Sequence, residues 1–535
     1  MKKKKYIILI DILLLLLLLT SYYLIYPSIN INNPEFWTYL IIFLSLFIVI
    51  NLSYYYGKRL PNLFNKTVIK TNNAYKIIFI IPVLIIGILL VNLICSPLFN
   101  AKGYYNRIKV DETHSFTDDI KEADFNKIPL LDKDSSSKLG DRTMGSMSDL
   151  VSQFDVSDIY TQINYNDEIV RVTPLEYNGT IKWFTNRENG VPGYIIVNST
   201  TGKSKLVRLK KGMKYMPSAL FNENLYRKLQ LTYPTYNFGD IDFEIDNEGN
   251  PYWIASVIDY TGVGLKREVS GVVILDPITG KSKYYKVKDV PKWVDHVYDA
   301  DIILEQVNDW GSYKNGYINS VISQKGVVMT TSGYNYLAQD DDIYLYTGIT
   351  SVISDESNIG FILTNMRTKE TRFYSVSGAE EYSAMDSAKG QVQQMKYTST
   401  FPLLINLNNR PTYLVSLKDN AGLVKMYGFV DVVDYQKVVV TDSSKGIKYA
   451  KDSYLNEIGE DDNSNSTTKE ITIKEINTSI IDGNTYYYII DTDDQKYKAS
   501  IKVNKNKLPF IKVDDKIKIT YNEESKVINI KKIED

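Results

Sequence analysis

The residue types that most often carry catalysis are scarce in this chain, which has two histidines and one cysteine. His114 lies in a polar stretch and His296 follows Asp295, so a Ser-His-Asp triad would have to use one of them. The sequence has no Gly-x-Ser-x-Gly elbow, no Walker loop and no His-Glu-x-x-His motif. We therefore predict no catalytic residue, no cofactor and no metal ligand, and we interpret His296 as a partly buried structural residue on a helix.

Acidic residues alternate along one short segment, which a strand would present on one face. They are Asp240, Asp242, Glu244, Asp246 and Glu248. Such a face could bind Ca²⁺ through oxygen ligands, or supply a carboxylate pair for glycoside hydrolysis. Residues 340–342 form a second acidic group. Because the spacing matches no EF-hand loop, the ordinary interpretation is a solvated strand edge protected by charge.

Tyrosine is abundant, with 43 residues beside 5 tryptophans. Several tyrosines occur as pairs in β-like segments, where exposed rings can stack on a sugar or a peptide. The predicted binding surface consists of Tyr284, Tyr285, Tyr334, Tyr336, Tyr344 and Tyr346. The alternative is that these rings form cross-strand pairs inside sheets.

The overall composition narrows the class of protein. Lys and Arg total 62 against 63 Asp and Glu, a balance that disfavours nucleic-acid binding. The single cysteine, Cys95, excludes an intramolecular disulfide and a cysteine metal cluster. Abundant Lys, Asn and Ile beside sparse Arg suggest an AT-rich genome, as in many Gram-positive bacteria.

Three long apolar runs lie in the first hundred residues. They are Tyr6–Tyr26, Phe36–Tyr56 and Ile77–Phe99. Each has about 20 residues, the length that a helix needs to cross about 30 Å of hydrocarbon. The first run is too long for a signal peptide and no cleavage site follows it. We predict a three-helix transmembrane anchor over residues 1–100, in which Pro82, Gly87 and Asn92 indicate a kink or a helix–helix contact.

The basic residues around these runs predict an orientation. The loop Pro27–Glu35 has no Lys or Arg, whereas residues 57–76 carry five of them, and Lys2–Lys5 precede the first run. Since short cytoplasmic loops collect cations, the N-terminus is expected in the cytoplasm and everything after about Asn100 outside it. The predicted location is the plasma membrane, crossed several times.

An internal repeat follows the anchor. Gly193–Lys205 aligns without gaps to Gly271–Lys283, and both end in Thr-Gly-Lys-Ser-Lys. Weaker third and fourth copies lie in residues 342–374 and 410–427. Each copy is predicted as three strands joined by hairpins, with Thr-Gly in the tight turn. Segments with helical spacing lie between copies, at Ser218–Leu231, Val294–Asn308 and Gly378–Tyr397.

This helix-plus-meander unit, with the turn in Asp276-Pro-Ile-Thr-Gly280, resembles the PepSY-type repeats of extracytoplasmic bacterial proteins. It is also similar to uncharacterised membrane-anchored envelope proteins of Gram-positive bacteria. The resemblance covers about Asp149 to Thr441, and we assign the repeat domain to residues 148–445. It implies a protein that binds or restrains partners and has no catalytic residues of its own.

The remaining segments complete the predicted domain organisation. Residues 101–147 are polar and turn-rich, which indicates a stalk or linker, and residues 459–468 indicate a second, acidic linker. Residues 469–535 alternate in about five short strands, as in a small OB-like or SH3-like barrel. The fold class is therefore a three-helix membrane anchor, an α+β outer domain of mostly antiparallel strands, and a small β-barrel-like domain.

These features predict a non-catalytic binding protein of the cell envelope. Its expected partners are the membrane and either an envelope protein or a cell-wall polymer, and no nucleic acid. Two alternatives stay open. One is an envelope enzyme with a carboxylate-based site in the outer domain, and the other is an accessory subunit of a membrane complex.

Overall fold

The computed structural model describes residues 2–56, 79–339, 342–352, 354–458, 467–481, 484–521 and 526–532. The acidic residues 340 and 341, the basic loop 57–78 and most of the predicted linker 459–468 lie outside this range. Helices α1 to α12 are Lys2–Ile25, Pro34–Tyr56, Ile80–Cys95, Pro97–Tyr105, Phe116–Asp119, Lys133–Gly145, Gly179–Asn186, Leu225–Thr232, Ala300–Tyr313, Gly316–Ile318, Glu381–Gly390 and Ile447–Ile458.

Strands make up most of the chain after the apolar helices. Strands β1 to β13 are Val110–His114, Phe154–Val156, Thr161–Tyr165, Glu168–Tyr177, Val191–Asn198, Ser204–Met213, Asn237–Ile245, Pro251–Thr261, Leu265–Leu275, Ser282–Lys286, Val328–Thr330, Asn335–Gln339 and Asp342–Ser351. Strands β14 to β26 are Ser354–Asn365, Thr371–Tyr374, Gly378–Ala379, Thr398–Ser399, Leu403–Leu407, Arg410–Lys418, Val424–Asp431, Val438–Asp442, Thr467–Ile481, Asn484–Asp491, Lys496–Ser500, Lys516–Tyr521 and Lys526–Lys532.

Two helices, α1 and α2, are long and apolar enough to cross a membrane, over Ile8–Ile25 and Pro34–Asn51. The third predicted span is not one continuous helix: α3 has 16 residues and meets α4 at a bend of 49°, so a third span is present only if this bent pair counts as one. The prediction of apolar N-terminal helices followed by a mostly antiparallel β domain is confirmed in this coarser form.

The chain forms two compact units. The first consists of Met1–Thr113, Lys127–Asp355 and Phe361–Phe373, and the second of His114–Asn126, Glu356–Gly360 and Tyr374–Asp535. The first unit contains sheets ordered β2-β4-β5-β6, with β3 on β4, and β10-β9-β8-β7. A further sheet is ordered β1-β15-β14-β13-β11, with β12 on β13.

In the second unit, one sheet is ordered β17-β19-β20-β21, with β18 on β19. The last five strands pair around a closed circuit, β22-β23-β24-β26-β25, in which only β24 and β26 are parallel. Ile473, Ile489 and Ile517 lie inside this circuit and are fully buried. The first of these strands begins at Thr467, inside the segment that was predicted as a linker.

The repeat consists of four strands, not the three that were predicted. Strands β3-β4-β5-β6 and β7-β8-β9-β10 are successive antiparallel meanders, and β18-β19-β20-β21 is another in the second unit. The predicted helices between copies are present but start later, and α9 begins at Ala300 instead of Val294.

One turn recurs in all four copies. Asn198, Asn365 and Asp431 each end a strand, and Asp276 directly follows one. The Oδ1 atom of each accepts hydrogen bonds from the backbone N–H groups two and three residues further along the chain. This Asx-turn closes the hairpin to the next strand. The third and fourth copies therefore share the turn of the first two.

Residues 101–147 are folded, so the prediction of a stalk is wrong for this segment. Asp132 caps α6 by accepting a hydrogen bond from the Ser135 N–H, and Met144 at the other end of α6 is buried. The helix packs against β5 and β6. Its small and polar residues fit a helix that lies flat on a sheet and covers it with only a few apolar side chains.

Candidate functional site

A cavity of about 500 Å³ lies in the first unit, where the C-terminal end of α1 and the N-terminal end of α2 meet β7 and α8. Its wall has four aromatic rings and two carboxylates. The aromatic residues are Tyr26, Tyr226, Phe238 and Tyr260, and the acidic ones are Glu35 and Asp240. No Lys or Arg is among the lining residues. This arrangement suits a neutral or cationic group that can lie against aromatic faces.

The loop between α1 and α2 is bound tightly to the domain. Asn237, which is 3% exposed, accepts hydrogen bonds at Oδ1 from Ser28 Oγ and Asn33 Nδ2, both at 2.9 Å. The Ile29 N–H donates to the Pro234 carbonyl at 2.7 Å. Because these buried hydrogen bonds satisfy polar groups of both the loop and the domain, the loop forms a fixed wall of the cavity.

The end of α3 is attached to the turn between β8 and β9 by one side chain. Asn92 accepts from the Val263 N–H at 2.7 Å and donates to the Val263 carbonyl at 3.0 Å. In the same turn, the Gly264 N–H donates to the Asn32 carbonyl at 2.9 Å. Asn92, which was predicted to indicate a kink or a helix–helix contact, is thus bound through its amide to the β8–β9 turn.

A β-bulge places the acidic group beside the cavity. The pairing of β7 with β8 shifts between Phe238 and Ile241, so Gly239 and Asp240 leave the regular register. The Asp240 N–H donates to Asp299 Oδ2 at 3.1 Å. A Cβ atom at Gly239 would lie 2.1 Å from the same oxygen, which explains the glycine. The bulge thus brings two carboxylates together that are far apart in sequence.

Asp240, Asp299 and Asp301 each place a carboxylate oxygen within 4.8 Å of the others. Three such oxygens are a partial ligand set for a hard divalent cation such as Ca²⁺ or Mg²⁺. However, Asp301 also pairs with Arg267, at 2.6 Å. Of the acidic run on β7, only Asp240 joins this group, so the ligands are not those that the calcium alternative named.

Burial changes the acidity of this group. Burial raises the pKa of Asp299 to about 7. The Asp240 charge contributes to this rise, whereas a hydrogen bond from Ser256 opposes it. The pKa of Asp240 is also raised, first by burial and then by Asp242 and Asp301. Near neutral pH, the Asp299 carboxyl group is therefore present in both its protonated and its ionised form.

We expect the substitution Asp299→Asn to weaken the pH dependence of stability. A raised pKa means that the folded chain keeps a proton that the unfolded chain loses, so stability falls as pH rises from about 4 to about 7. Urea unfolding across this range should show a shallower fall in the variant than in the natural chain. Glu248→Gln, at an exposed position, is the control, and equal slopes for Asp299→Asn and the natural chain would contradict this expectation.

Glu244 is buried rather than part of a solvated strand edge, which corrects the ordinary interpretation of the acidic run. It is fully buried, and its two carboxylate oxygens accept from the Asp295 and His296 N–H groups, each at 2.9 Å. Burial and the Asp295 charge raise its pKa well above the usual value. The two hydrogen bonds to Glu244 fix the segment before α9 against β7.

The two histidines lie in different units. His296 is 7% exposed and its Nε2–H donates to the Gln162 carbonyl at 2.8 Å, so the structural interpretation is supported. It lies in the loop before α9, not on a helix as predicted. In the second unit, His114 pairs with Asp119, which also accepts from the Tyr374 hydroxyl at 3.3 Å.

The six tyrosines of the predicted binding surface do not form one exposed surface. Tyr344 and Tyr346 are 8% and 0% exposed, so neither ring is available for stacking on a ligand. The Tyr284 hydroxyl donates to the Ser270 carbonyl at 3.0 Å, and Tyr285 is half-buried. Only Tyr334 is exposed, at 39%, with its ring 5.5 Å from that of Tyr336.

Tyr334 and Tyr336 do lie near the acidic group. Burial raises the pKa of Tyr334, and the charges of Asp240, Asp301 and Asp242 raise it further. The Tyr336 ring stands 5.3 Å from that of His296. Sequence reasoning thus found parts of the site separately, but missed the loop residues and Asp299 that complete it.

A second cavity in the first unit, of about 510 Å³, has the opposite charge. Lys286, Lys288 and Arg367 line it, together with Ser270 and Thr368. Arg367 is bound to Asp342, with two hydrogen bonds of 2.7 and 2.8 Å. Asp342, from the second acidic group of the sequence, is therefore a partner of Arg367.

Comparisons with known proteins do not assign a family. No family model and no curated protein matches the sequence. The Bacillus megaterium YpeB C-terminal domain matches over 44% of this chain and 99% of that one, at 11% identity and a TM-score of 0.10. A B. megaterium levansucrase mutant matches over 80% and 96%, at 10% identity and a TM-score of 0.17.

An ACO/RPE65 chimera matches over 71% of this chain, at 7% identity and a TM-score of 0.13, and this chain spans 62% of the chimera. At TM-scores this low, none of these likenesses carries an argument about fold or activity. The functional argument therefore depends on the geometry of the cavity.

Proposed function

We propose that this chain is a membrane-anchored binding protein of the cell envelope, with its ligand site in the cavity at the helix ends. The observation that carries the proposal is that two parts of the chain, the apolar helices with their loop and the β domain, together form the cavity wall. Tyr26, Ser28 and Glu35 come from the membrane segment, whereas Phe238 and Tyr260 come from the domain. A ligand in this cavity would touch both parts at once, at the level of the membrane surface.

The arrangement of the helix ends supports the proposed orientation. The segments predicted to lie outside the cytoplasm are the α1–α2 loop and the C-terminal end of α3, and both contact the β domain. With α3 as the third apolar helix, these ends of α1, α2 and α3 belong on one side. We propose that this side is the outer face of the plasma membrane, with the N-terminus in the cytoplasm.

The recurring Asx-turn supports the proposed PepSY-like character of the repeats, whose role would be to bind or restrain a partner. The partner would be an envelope protein or a cell-wall polymer. Glu35 and Asp240 favour a ligand that presents amines or hydroxyl groups over one that presents phosphates, because like charges repel.

Photocrosslinking in intact membranes tests this proposal. Photoreactive benzoylphenylalanine replaces Tyr260, which lines the cavity, or Tyr252 on the same strand, whose ring lies 5.0 Å from Trp293. We expect adducts at position 260 and few at position 252, and their mass distinguishes a protein from a polysaccharide. Equal labelling at both positions would contradict the proposal, whereas a stoichiometric protein adduct would favour a complex subunit.

The carboxylates beside the cavity favour one second candidate, an envelope enzyme. Asp299, with its pKa raised to about 7, could donate a proton beside the carboxylate groups of Asp240 and Asp301. In that case, purified full-length protein would turn over a wall glycan, and Asp299→Asn would abolish the turnover while leaving crosslinking at position 260 intact.

A further inference from the structure

An apolar surface is exposed beside the end of α3. Helix α10 continues into a π-helical turn, Asn319–Ser323, and this segment exposes Ile318, Val321 and Ile322 at 72%, 58% and 78%. Their spacing of three and four residues places them on one helix face. Exposed apolar patches of this kind are uncommon on proteins surrounded by water and indicate a contact surface.

This patch continues the apolar surface of the third helix. Segment α10 contacts α4, which follows α3 directly after the bend at Ser96. Helix α4 itself exposes Leu98 at 48% and Phe99 at 68%. The five side chains therefore lie where the chain leaves the apolar span, and we call them the α4–α10 patch.

A second apolar surface lies beside the end of α1. Ile181 and Phe184 on α7 are 75% and 53% exposed, and Phe221 is 55% exposed. The Trp183 ring connects them, 5.8 Å from Phe221. The next residue, Asn222, accepts a hydrogen bond from the Tyr23 hydroxyl at the end of α1, at 2.9 Å. We call this the α7 patch.

Exposed cations accompany both patches. Lys102 on α4 and Lys325 after the π-helical turn are exposed, as is Arg187 at the end of α7. The Arg187 guanidinium lies over the Trp183 ring at 5.1 Å. Apolar side chains with adjacent Lys and Arg are the composition of surfaces that rest on a membrane, because the cations meet lipid phosphates.

We infer that the α7 and α4–α10 patches rest on the outer leaflet of the bilayer that the apolar helices cross. The inference depends on the anchoring part of the proposed function and adds a second, peripheral mode of membrane contact. Continuity decides the occupant, since each patch adjoins the end of an apolar helix whose own surface must be covered by lipid. The inserted side chains would reach about 5–10 Å into the interface.

Fluorescence quenching in lipid nanodiscs tests the inference. The full chain, with Cys95→Ser as background, carries an environment-sensitive fluorophore at Ile322→Cys or Ile181→Cys, and brominated lipids act as quenchers. We expect about a twofold loss of fluorescence at both positions. Leu13→Cys within α1 is the positive control.

Thr279→Cys is the negative control. It lies in the turn after β9, an eleven-residue strand whose other end adjoins the turn bound by Asn92. At about 3.4 Å per residue, the strand places Thr279 about 30 Å or more from the end of α3. Quenching of Leu13→Cys without quenching at Ile322→Cys and Ile181→Cys would overturn the inference and leave the anchor standing. Loss of quenching at Leu13→Cys as well would overturn the anchor itself.

A protein occupant gives a different result. If a second copy or another protein covers a patch, the fluorophore in that patch should be protected from a water-soluble quencher yet unaffected by brominated lipid. That outcome would also overturn the inference.

Discussion

Replacing Glu244 with alanine should lower the free energy of unfolding of the first unit by about 3–5 kcal/mol. The substitution leaves the buried N–H groups of Asp295 and His296 without their acceptors, each of which costs about 1–3 kcal/mol. It also empties a fully buried volume. Pulse proteolysis in a urea series, on the full chain in detergent, measures the loss.

Two further variants separate hydrogen bonding from volume. Glu244→Gln keeps the volume and one acceptor oxygen, so its loss should lie between those of the alanine variant and the natural chain. Glu248→Ala, at the exposed end of the same acidic run, should change stability by less than about 0.5 kcal/mol. A loss at Glu244→Ala as small as that at Glu248→Ala would show that the backbone groups find other partners.

The substitution Arg107→Met should destabilise the first unit by a similar amount, about 3–5 kcal/mol, because it breaks a buried ion pair from one side. The Arg107 side chain is 4% exposed. Its Nη1 contacts Glu305, at 2.7 Å, and Asp309, and its Nη2 donates to the Arg267 carbonyl at 2.6 Å. Arg107 therefore joins the segment after α4 to α9 and β9.

The loss at Arg107→Met should grow with pH. Burial raises the pKa of Asp309 to about 6, although the Arg107 charge lowers it. Without Arg107 the carboxylate is harder to ionise, so the variant should lose most stability above about pH 6 and less near pH 4. Lys314→Met removes an exposed pair with Glu112 and is the matched control, with an expected loss below about 1 kcal/mol.

Local sequence patterns predicted the elements that local physics determines. Long apolar runs gave the first helices, since a span is a property of consecutive residues. The Thr-Gly turns were predicted because glycine readily adopts positive φ. In the structure Gly202 and Gly280 do so, at 71° and 70°. In the third copy Lys369 stands in place of the glycine and also adopts positive φ, at 63°. Because the Thr-Gly sequence is missing there, this copy resembles the others less in sequence than in structure.

The site depended on contacts that sequence order does not reveal. Asp240 meets Asp299 only because a bulge and a neighbouring loop bring them together. The tyrosine pair of β13, Tyr344 and Tyr346, alternates as predicted, but both faces of that strand are covered, so both rings are buried. Alternation indicates a strand and does not say which face meets water.

The attachment of the α1–α2 loop has a practical meaning for anyone who wishes to study the soluble part alone. A fragment that begins after the third helix would lack Ser28 and Asn33, leaving the buried Asn237 amide open to water. It would also lack Tyr26 and Glu35, and with them one side of the cavity. Screening for ligands of the proposed site therefore requires the whole chain, because the N-terminal segment supplies part of the cavity wall.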